Sequence, residues 1–104
     1  MIAMTYHDEF DRRAWLSSPH AHQRQYALAH LLDDRTSPWM SGDILRYARA
    51  FGYGCMFKTL YKDLRRLAEE KVITSQIITI DTYYQSTEVV LVSDWRSKLE
   101  HAKL

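Results

Sequence analysis

Apolar residues recur at helical spacing through much of the chain, and β-branched runs follow them. The clearest helical pattern is the stretch FKTLYKDLRRLAEEKVI, from Phe57 to Ile73. At about 100° per residue, its apolar side chains fall within an arc of roughly 120°, beside a separate basic arc. The apolar arc contains Phe57, Leu60, Tyr61, Leu64, Leu67 and Ala68, and the basic arc contains Lys58, Lys62, Arg65 and Arg66. The pattern predicts a helix from about Cys55 to Glu70, with one face toward the core and the other available to an anion.

Shorter helical segments precede this basic helix. His7–Leu16 is a candidate first helix, with acidic residues near the positive end of its dipole. Ser18, followed by proline, is suited to cap a second helix that runs to about residue 33. Ser41 is suited to cap a third helix, which Gly52 would end in the left-handed conformation. The turn FGYG is short and contains glycine, as a steep helix-to-helix turn requires.

After Glu70 the pattern changes to two β-branched runs, VITSQIITI and TEVVLVS. Turn-forming residues between Asp81 and Ser86 separate them, which predicts an antiparallel hairpin. Both runs place apolar groups on both faces, whereas a strand that is wet on one side would alternate. We therefore expect one face to cover the core and the other to be buried against the terminal helices, a second subunit or a foreign protein.

A last helix is predicted after Asp94, which is suited to cap it. Trp95, Leu99 and Ala102 line one face of this helix. A stripe this short cannot hold a helix alone and needs a surface to cover it. The sequence therefore predicts a homodimer contact through these three residues.

Taken in order, the elements predict an α+β fold: a winged helix-turn-helix with extra amino-terminal and carboxy-terminal helices and a two-stranded hairpin wing. The length of 104 residues fits a single domain over residues 1–104. No apolar run approaches the roughly 20 residues that span a bilayer. The start, MIAMTYHDEF, has neither a basic leader nor an apolar signal core, so we expect a cytoplasmic protein.

Charge is unevenly distributed along the chain. The formal net charge is only +1, yet residues 42–66 contain six basic and two acidic side chains, a local balance of +4. From Val72 to Trp95 there is no Lys or Arg, and Asp81, Glu88 and Asp94 make the hairpin region acidic. The positive field is thus predicted on the helix-turn-helix and not on the hairpin.

The span from Met40 to Ile73 resembles the winged-helix regulators of the PadR type and, more loosely, those of the MarR and ArsR types. The residues that carry the resemblance are Ser41, Gly42, Ile44 and Leu45, then Thr59, Leu60 and Tyr61, then Leu64, Arg65, Arg66, Leu67, Glu69 and Glu70. The chain departs from the pattern at Lys71, where the family has glycine. It also departs at the hairpin, which offers Tyr83 and Tyr84 in place of Arg or Lys.

Two functions follow as expectations. The resemblance implies a sequence-specific transcription regulator that binds double-stranded DNA as a homodimer, with Lys58, Thr59, Lys62, Arg65 and Arg66 contacting DNA from the major groove. The alternative is a winged-helix interaction module or inhibitor, for instance one carried by a phage, that binds a protein partner through Tyr83 and Tyr84 of its acidic, aromatic hairpin.

Motifs for catalysis or ligand binding are missing from the sequence. It has no phosphate-cradling glycine loop, nucleophile elbow or zinc-hydrolase pair. Its histidines are not joined by Cys, Asp or Glu at a recognisable ligand spacing, and Cys55 has no second cysteine to pair with. We expect a protein that is not an enzyme and that needs no cofactor and no metal.

Overall fold

The computed structural model of the chain describes residues 10–104. Over this range it is an α+β structure with five helices and a three-stranded antiparallel sheet, which confirms the predicted class. The elements, in chain order, are α1 (Arg12–Leu16), α2 (Ala21–Leu32), β1 (Trp39–Met40), α3 (Ser41–Ala50), α4 (Phe57–Glu69), β2 (Ile73–Asp81), β3 (Tyr84–Leu91) and α5 (Trp95–Glu100). Their order is the predicted one, apart from β1, which the hydrophobic pattern does not predict.

The helix starts differ from the predicted ones by one to a few residues. Within the described residues α1 begins at Arg12, after Asp11, whose carboxylate accepts a hydrogen bond from the Ala14 amide; residues 7–9 of the predicted first helix lie outside the described range. Ser18 does not cap α2, because the cap is His20 and the Ser18 hydroxyl accepts from the His20 amide at 3.0 Å instead. Ser41 is the first residue of α3 and not its cap.

The sheet has the strand order β1-β3-β2, so β3 is central. β1 contributes two residues, with Trp39 opposite Val89. The hairpin pairs Ile73 with Leu91 at its base and Asp81 with Tyr84 at its tip. The loop between the strands is therefore two residues long, and β3 begins earlier than the predicted run TEVVLVS, because a tight two-residue turn lets polar residues near the tip continue the ladder.

The core lies between the helices and the base of the sheet. Trp39 is fully buried, and its indole Nε1 donates to the carbonyl oxygen of Leu32 at 3.0 Å, which ties β1 to the end of α2. Trp95 and Leu99 also lie in this core, with exposed fractions of 6% and 3%, and Ala102 follows the end of α5 half-buried. The apolar stripe of α5 is thus covered by its own chain, so a homodimer contact needs other residues.

Two positions with positive φ shape the ends of α3 and α4. Gly52 has φ of 106°, as predicted for the residue that ends α3. A Cβ atom on Gly52 would approach Arg13 Cγ to 3.0 Å and the Arg13 carbonyl oxygen to 3.2 Å. Lys71 has φ of 65° after α4. The chain therefore leaves α4 in the conformation that glycine favours, although lysine stands there.

The turn between α3 and α4 offers a matched pair of substitutions. Gly52→Ala is expected to lower the free energy of unfolding by about 2 kcal/mol, because alanine is strained in this backbone conformation and also crowds Arg13. Gly54→Ala should change it by less than about 0.5 kcal/mol, because none of residues 10–104 that could clash lies within 4 Å of a Cβ at that position. Urea unfolding followed by circular dichroism measures both. Equal effects would contradict the special role of Gly52.

Candidate nucleic-acid interface

Helix α4 presents a positive face to solvent. Lys58, Lys62 and Arg65 are exposed, while Leu60, Leu64 and Leu67 on the opposite side are buried. Among residues 10–104, none of these three cations forms an ion pair. Thr59 is only half-exposed. Three of the five residues predicted to contact DNA therefore lie on one exposed face of α4.

A buried ionic cluster holds the inner side of α4. Asp63 is 1% exposed, and its carboxylate accepts hydrogen bonds from Arg24 Nε at 3.0 Å and from Arg24 Nη2 at 3.2 Å. It also accepts from Gln25 Nε2 at 3.0 Å and from the Tyr53 hydroxyl at 2.9 Å. Arg24 Nη1 donates further to the carbonyl oxygens of Ser18 and Pro19. The Asp63 cluster thus joins α2, the turn after α3, and α4.

Arg24 and Tyr53 keep the protons that they donate to Asp63. Hydrogen bonding to Asp63 raises the pKa of the Arg24 guanidinium, so Arg24 remains a cation. Burial, together with the Asp63 charge, raises the pKa of the Tyr53 hydroxyl well above its ordinary value, so Tyr53 remains a donor. The Arg24 cation therefore balances the carboxylate charge inside the protein, so the cluster subtracts little from the positive field on the outer face of α4.

Arg66 differs from the other basic residues of α4. It is half-buried and pairs with Glu69 at 3.3 Å and with Glu70 at 2.9 Å. It also donates to the carbonyl oxygen of Lys103, near the carboxy terminus. The Lys103 amide donates back to Glu70 at 2.9 Å, which holds the pKa of the Glu70 carboxyl below its ordinary value. Arg66 thus fastens the end of the chain to α4.

The start of α4 is positive and has no acidic residue to offset it. Met56 is its N-cap without a side-chain hydrogen bond, and its first turn has no Asp or Glu but contains Lys58. A cation there adds to the positive end of the helix dipole instead of offsetting it, so this end of α4 attracts anions. Arg49, at the end of α3, is exposed and lies beside this start, with Nη2 3.6 Å from Met56 Sδ. The charge count of residues 42–66 includes Arg49, but the sequence does not show that the folded turn brings it to the start of α4.

An open groove of about 630 Å³ separates α4 from the hairpin. The helix side consists of Tyr61, Leu64, Arg65 and Ala68. The hairpin side consists of Ser75, Gln76, Ile77, Gln85, Ser86 and Thr87. Only the base of the hairpin is buried, where Ile73 and Val89 enter the core. Among residues 10–104, the chain itself therefore does not bury the outer half of the hairpin on either face. Burial against a second subunit or a foreign protein stays a prediction.

The hairpin tip is the most exposed aromatic part of the described chain. Tyr83 is 96% exposed and Tyr84 is 62% exposed. The Tyr83 amide donates to the Asp81 carboxylate at 2.8 Å, which supports the turn. The tip lacks cations, so its surroundings are aromatic and acidic.

Two kinds of feature, a cluster of metal ligands and a membrane-spanning helix, are absent from residues 10–104. These residues contain no group of three or more His, Cys, Asp and Glu side chains placed to hold a metal ion. In the same range, no helix is both long enough and apolar enough to cross a membrane.

The Asp63 cluster can be tested against an exposed ion pair of the same type. Asp63→Ala is expected to lower the free energy of unfolding by about 3 kcal/mol, because it leaves the Arg24 charge buried without its partner. Asp43→Ala removes the exposed partner of Arg46 and should cost less than about 1 kcal/mol. Urea unfolding measures the difference. Similar losses for the two variants would show that the cluster does not hold α4.

No family model, no curated protein and no solved structure matches this chain. The function of the surface formed by α4 and the hairpin has to be argued from its own residues.

Proposed function

We propose that this chain is a winged-helix protein that binds double-stranded DNA, with α4 as the major-groove reader and transcription regulation as its role. The observation that carries the proposal is the outer face of α4, where Lys58, Lys62 and Arg65 are exposed and unpaired among the described residues. The phosphate backbone dominates the affinity of such complexes, and free cations on one helix are what it requires.

The arrangement of elements supports the winged-helix assignment. A short helix, a glycine turn and a longer basic helix are followed by a two-stranded hairpin that joins a third short strand. In helix-turn-helix proteins the second helix of the pair enters the groove while the first crosses the backbone. Here α4 is the second helix of the pair. Its exposed face runs along 13 residues, from Phe57 to Glu69.

Different cations are proposed for different contacts. Lys58 lies in the first turn of α4, where the helix dipole and Arg49 add to its field, and it suits a phosphate. Lys62 lies one turn further on and suits the next phosphate. Arg66 is also a predicted contact residue, but Glu70 and Lys103 hold it. We therefore assign base reading to Arg65, which is exposed and forms no ion pair among residues 10–104.

A second candidate function is binding of a protein through the hairpin tip. The observation that favours it is the exposure of Tyr83 and Tyr84 on a hairpin without Lys or Arg. Tyrosine is enriched in protein interfaces because it combines a large apolar area with a polar end. A hairpin of this composition offers nothing to phosphates, so the two candidate functions use different ends of the molecule.

The salt dependence of DNA binding tests the role of α4. A titration with random duplex DNA at two salt concentrations should show binding that weakens as salt rises. Lys58→Ala and Lys62→Ala should each weaken binding to all sequences and reduce the salt slope by about 0.9, because each variant leaves one phosphate without its cation. Arg65→Ala should cost about 1–3 kcal/mol and relax specificity at one position. The matched control is Arg96→Ala on α5, which removes an exposed cation paired with Asp33 and should leave binding unchanged.

Two results would remove α4 from the mechanism. One is wild-type protein that shows no salt-sensitive binding. The other is a Lys58→Ala, Lys62→Ala and Arg65→Ala triple variant that remains folded by circular dichroism and binds DNA as well as wild type.

The hairpin tip is expected to contribute nothing to DNA affinity. The double variant Tyr83→Ala with Tyr84→Ala should bind duplex DNA with the affinity and salt slope of wild type, because the tip has no cation. The same titration measures this. A loss of about 1–3 kcal/mol would instead indicate that a tyrosine stacks on a base, and the tip would then belong to the DNA interface.

A further inference from the structure

Strand β2 is an edge of the sheet. The strand order β1-β3-β2 leaves one long side of β2 without a neighbour among residues 10–104. The strand runs over nine residues, from Ile73 to Asp81. Its regular pairing with β3 extends from Ile73 to Thr79, and the irregularity lies between Thr79 and Asp81. A straight row of backbone donors and acceptors therefore faces outward along most of the strand.

This edge lacks the usual protection against pairing. Proteins protect edge strands with lysine, other charges, proline or a bulge in the middle of the strand. The segment VITSQIITI, residues 72–80, contains no charged residue, no proline and no glycine. Ile77, at the centre of β2, is 70% exposed, and Ile80 is 56% exposed. The strand has the composition of one that pairs on both sides.

We propose that β2 pairs antiparallel with β2 of a second copy of this chain, about a two-fold axis at Ile77. Because Ile77 is the middle residue of Ile73–Asp81, this register overlaps the whole strand. It places Ile77 opposite its own copy, Ser75 opposite Thr79 of the second copy and Gln76 opposite its Ile78.

The second copy is the occupant that the side chains favour. The register puts β-branched and hydroxyl side chains opposite each other, which stabilises antiparallel pairs, and it sets no charge against a like charge. An interface about a two-fold axis must complement itself, and this strand does. The alternative dimer surface on α5 is not free, since Trp95 and Leu99 lie in the core.

The proposed pairing fixes where the two α4 helices lie. Residues directly opposite each other in an antiparallel pair point to the same side of the sheet. Ile77 lines the groove that faces α4, so both copies of Ile77 and both α4 helices lie on one side of a continuous six-stranded sheet. Two positive faces would then be presented in the same direction.

Light scattering coupled to size-exclusion chromatography tests the proposal without DNA, so failure here is separate from failure of DNA binding. Wild type should have twice the 12.3 kDa chain mass. Ile77→Lys should elute as a monomer at the same concentration, because it sets two ammonium groups against each other at the axis. The matched control is Gln85→Lys, which places the same charge on the same face of the hairpin but on the central strand β3. This variant should remain a dimer.

Crosslinking provides a second test, which does not require the protein to fold with a lysine at position 77. In a Cys55→Ser background, Ile77→Cys should be joined to its copy by a short bismaleimide, because the axis brings the two side chains together. Tyr83→Cys at the exposed tip is the control and should stay uncoupled, because the register moves the two tips to opposite ends of the paired strands.

Several outcomes would overturn the proposal. These are a monomeric wild type, a dimer that Ile77→Lys leaves intact, or crosslinking at position 83 as efficient as at position 77. A dimer lost in Ile77→Lys, kept in Gln85→Lys and crosslinked at position 77 would support it.

Discussion

The ionic contact between Arg24 and Asp63 is the constraint on which the rest of the surface depends. A buried carboxylate is tolerated only when opposite charge and hydrogen bonds surround it, and Asp63 accepts four hydrogen bonds from three residues. Because these donors come from α2 and from the turn after α3, they fix both the position of α4 and its rotation about its own axis. With Asp63 directed inward, the exposed cations of α4 can only face solvent. A hydrophobic contact alone would allow the helix to roll, whereas this one specifies a single orientation.

The outer half of the hairpin is held far less firmly. The hairpin enters the core only through residues such as Ile73 and Val89 at its base, and its outer half carries exposed Ile77 and Tyr83. Backbone hydrogen bonds between two strands are marginal when little apolar area is buried with them. A second strand on the edge of β2 would stabilise the hairpin, because it adds a ladder of hydrogen bonds and covers isoleucine side chains at the same time. The proposed association would account for a composition of β2 that the isolated fold leaves exposed.

The sequence predicts the local elements well and the long-range contacts poorly. Helices α3 and α4 follow from apolar periodicity, and Gly52 follows from the need for positive φ. In the sequence, Asp63 cannot be told from a solvent-exposed charge. Its partner Arg24 lies 39 residues away, and no local pattern connects the two. Strand β1 is missed because two residues are too short to show a period.

The same limit explains the residues whose roles change. Periodicity shows that Trp95 and Leu99 share a face, but not that the chain's own core covers it. Likewise, the basic arc of α4 includes Arg66, one of whose partners is a carbonyl oxygen 37 residues further along the chain. Exposure and pairing are properties of the folded chain, so a sequence pattern identifies which charges exist and the structure determines which of them are free.

The placement of the tryptophans has a consequence for spectroscopy. The three tryptophans, Trp15, Trp39 and Trp95, all lie in the helical body or at its junction with the sheet, whereas the outer hairpin carries only tyrosines. Excitation at the red edge of the absorption band excites tryptophan and not tyrosine. The emission therefore reports on the helical part of the protein and does not change when the outer hairpin strands fray. Far-ultraviolet dichroism sees both parts. Divergence between the two signals during unfolding would measure how independently the hairpin melts.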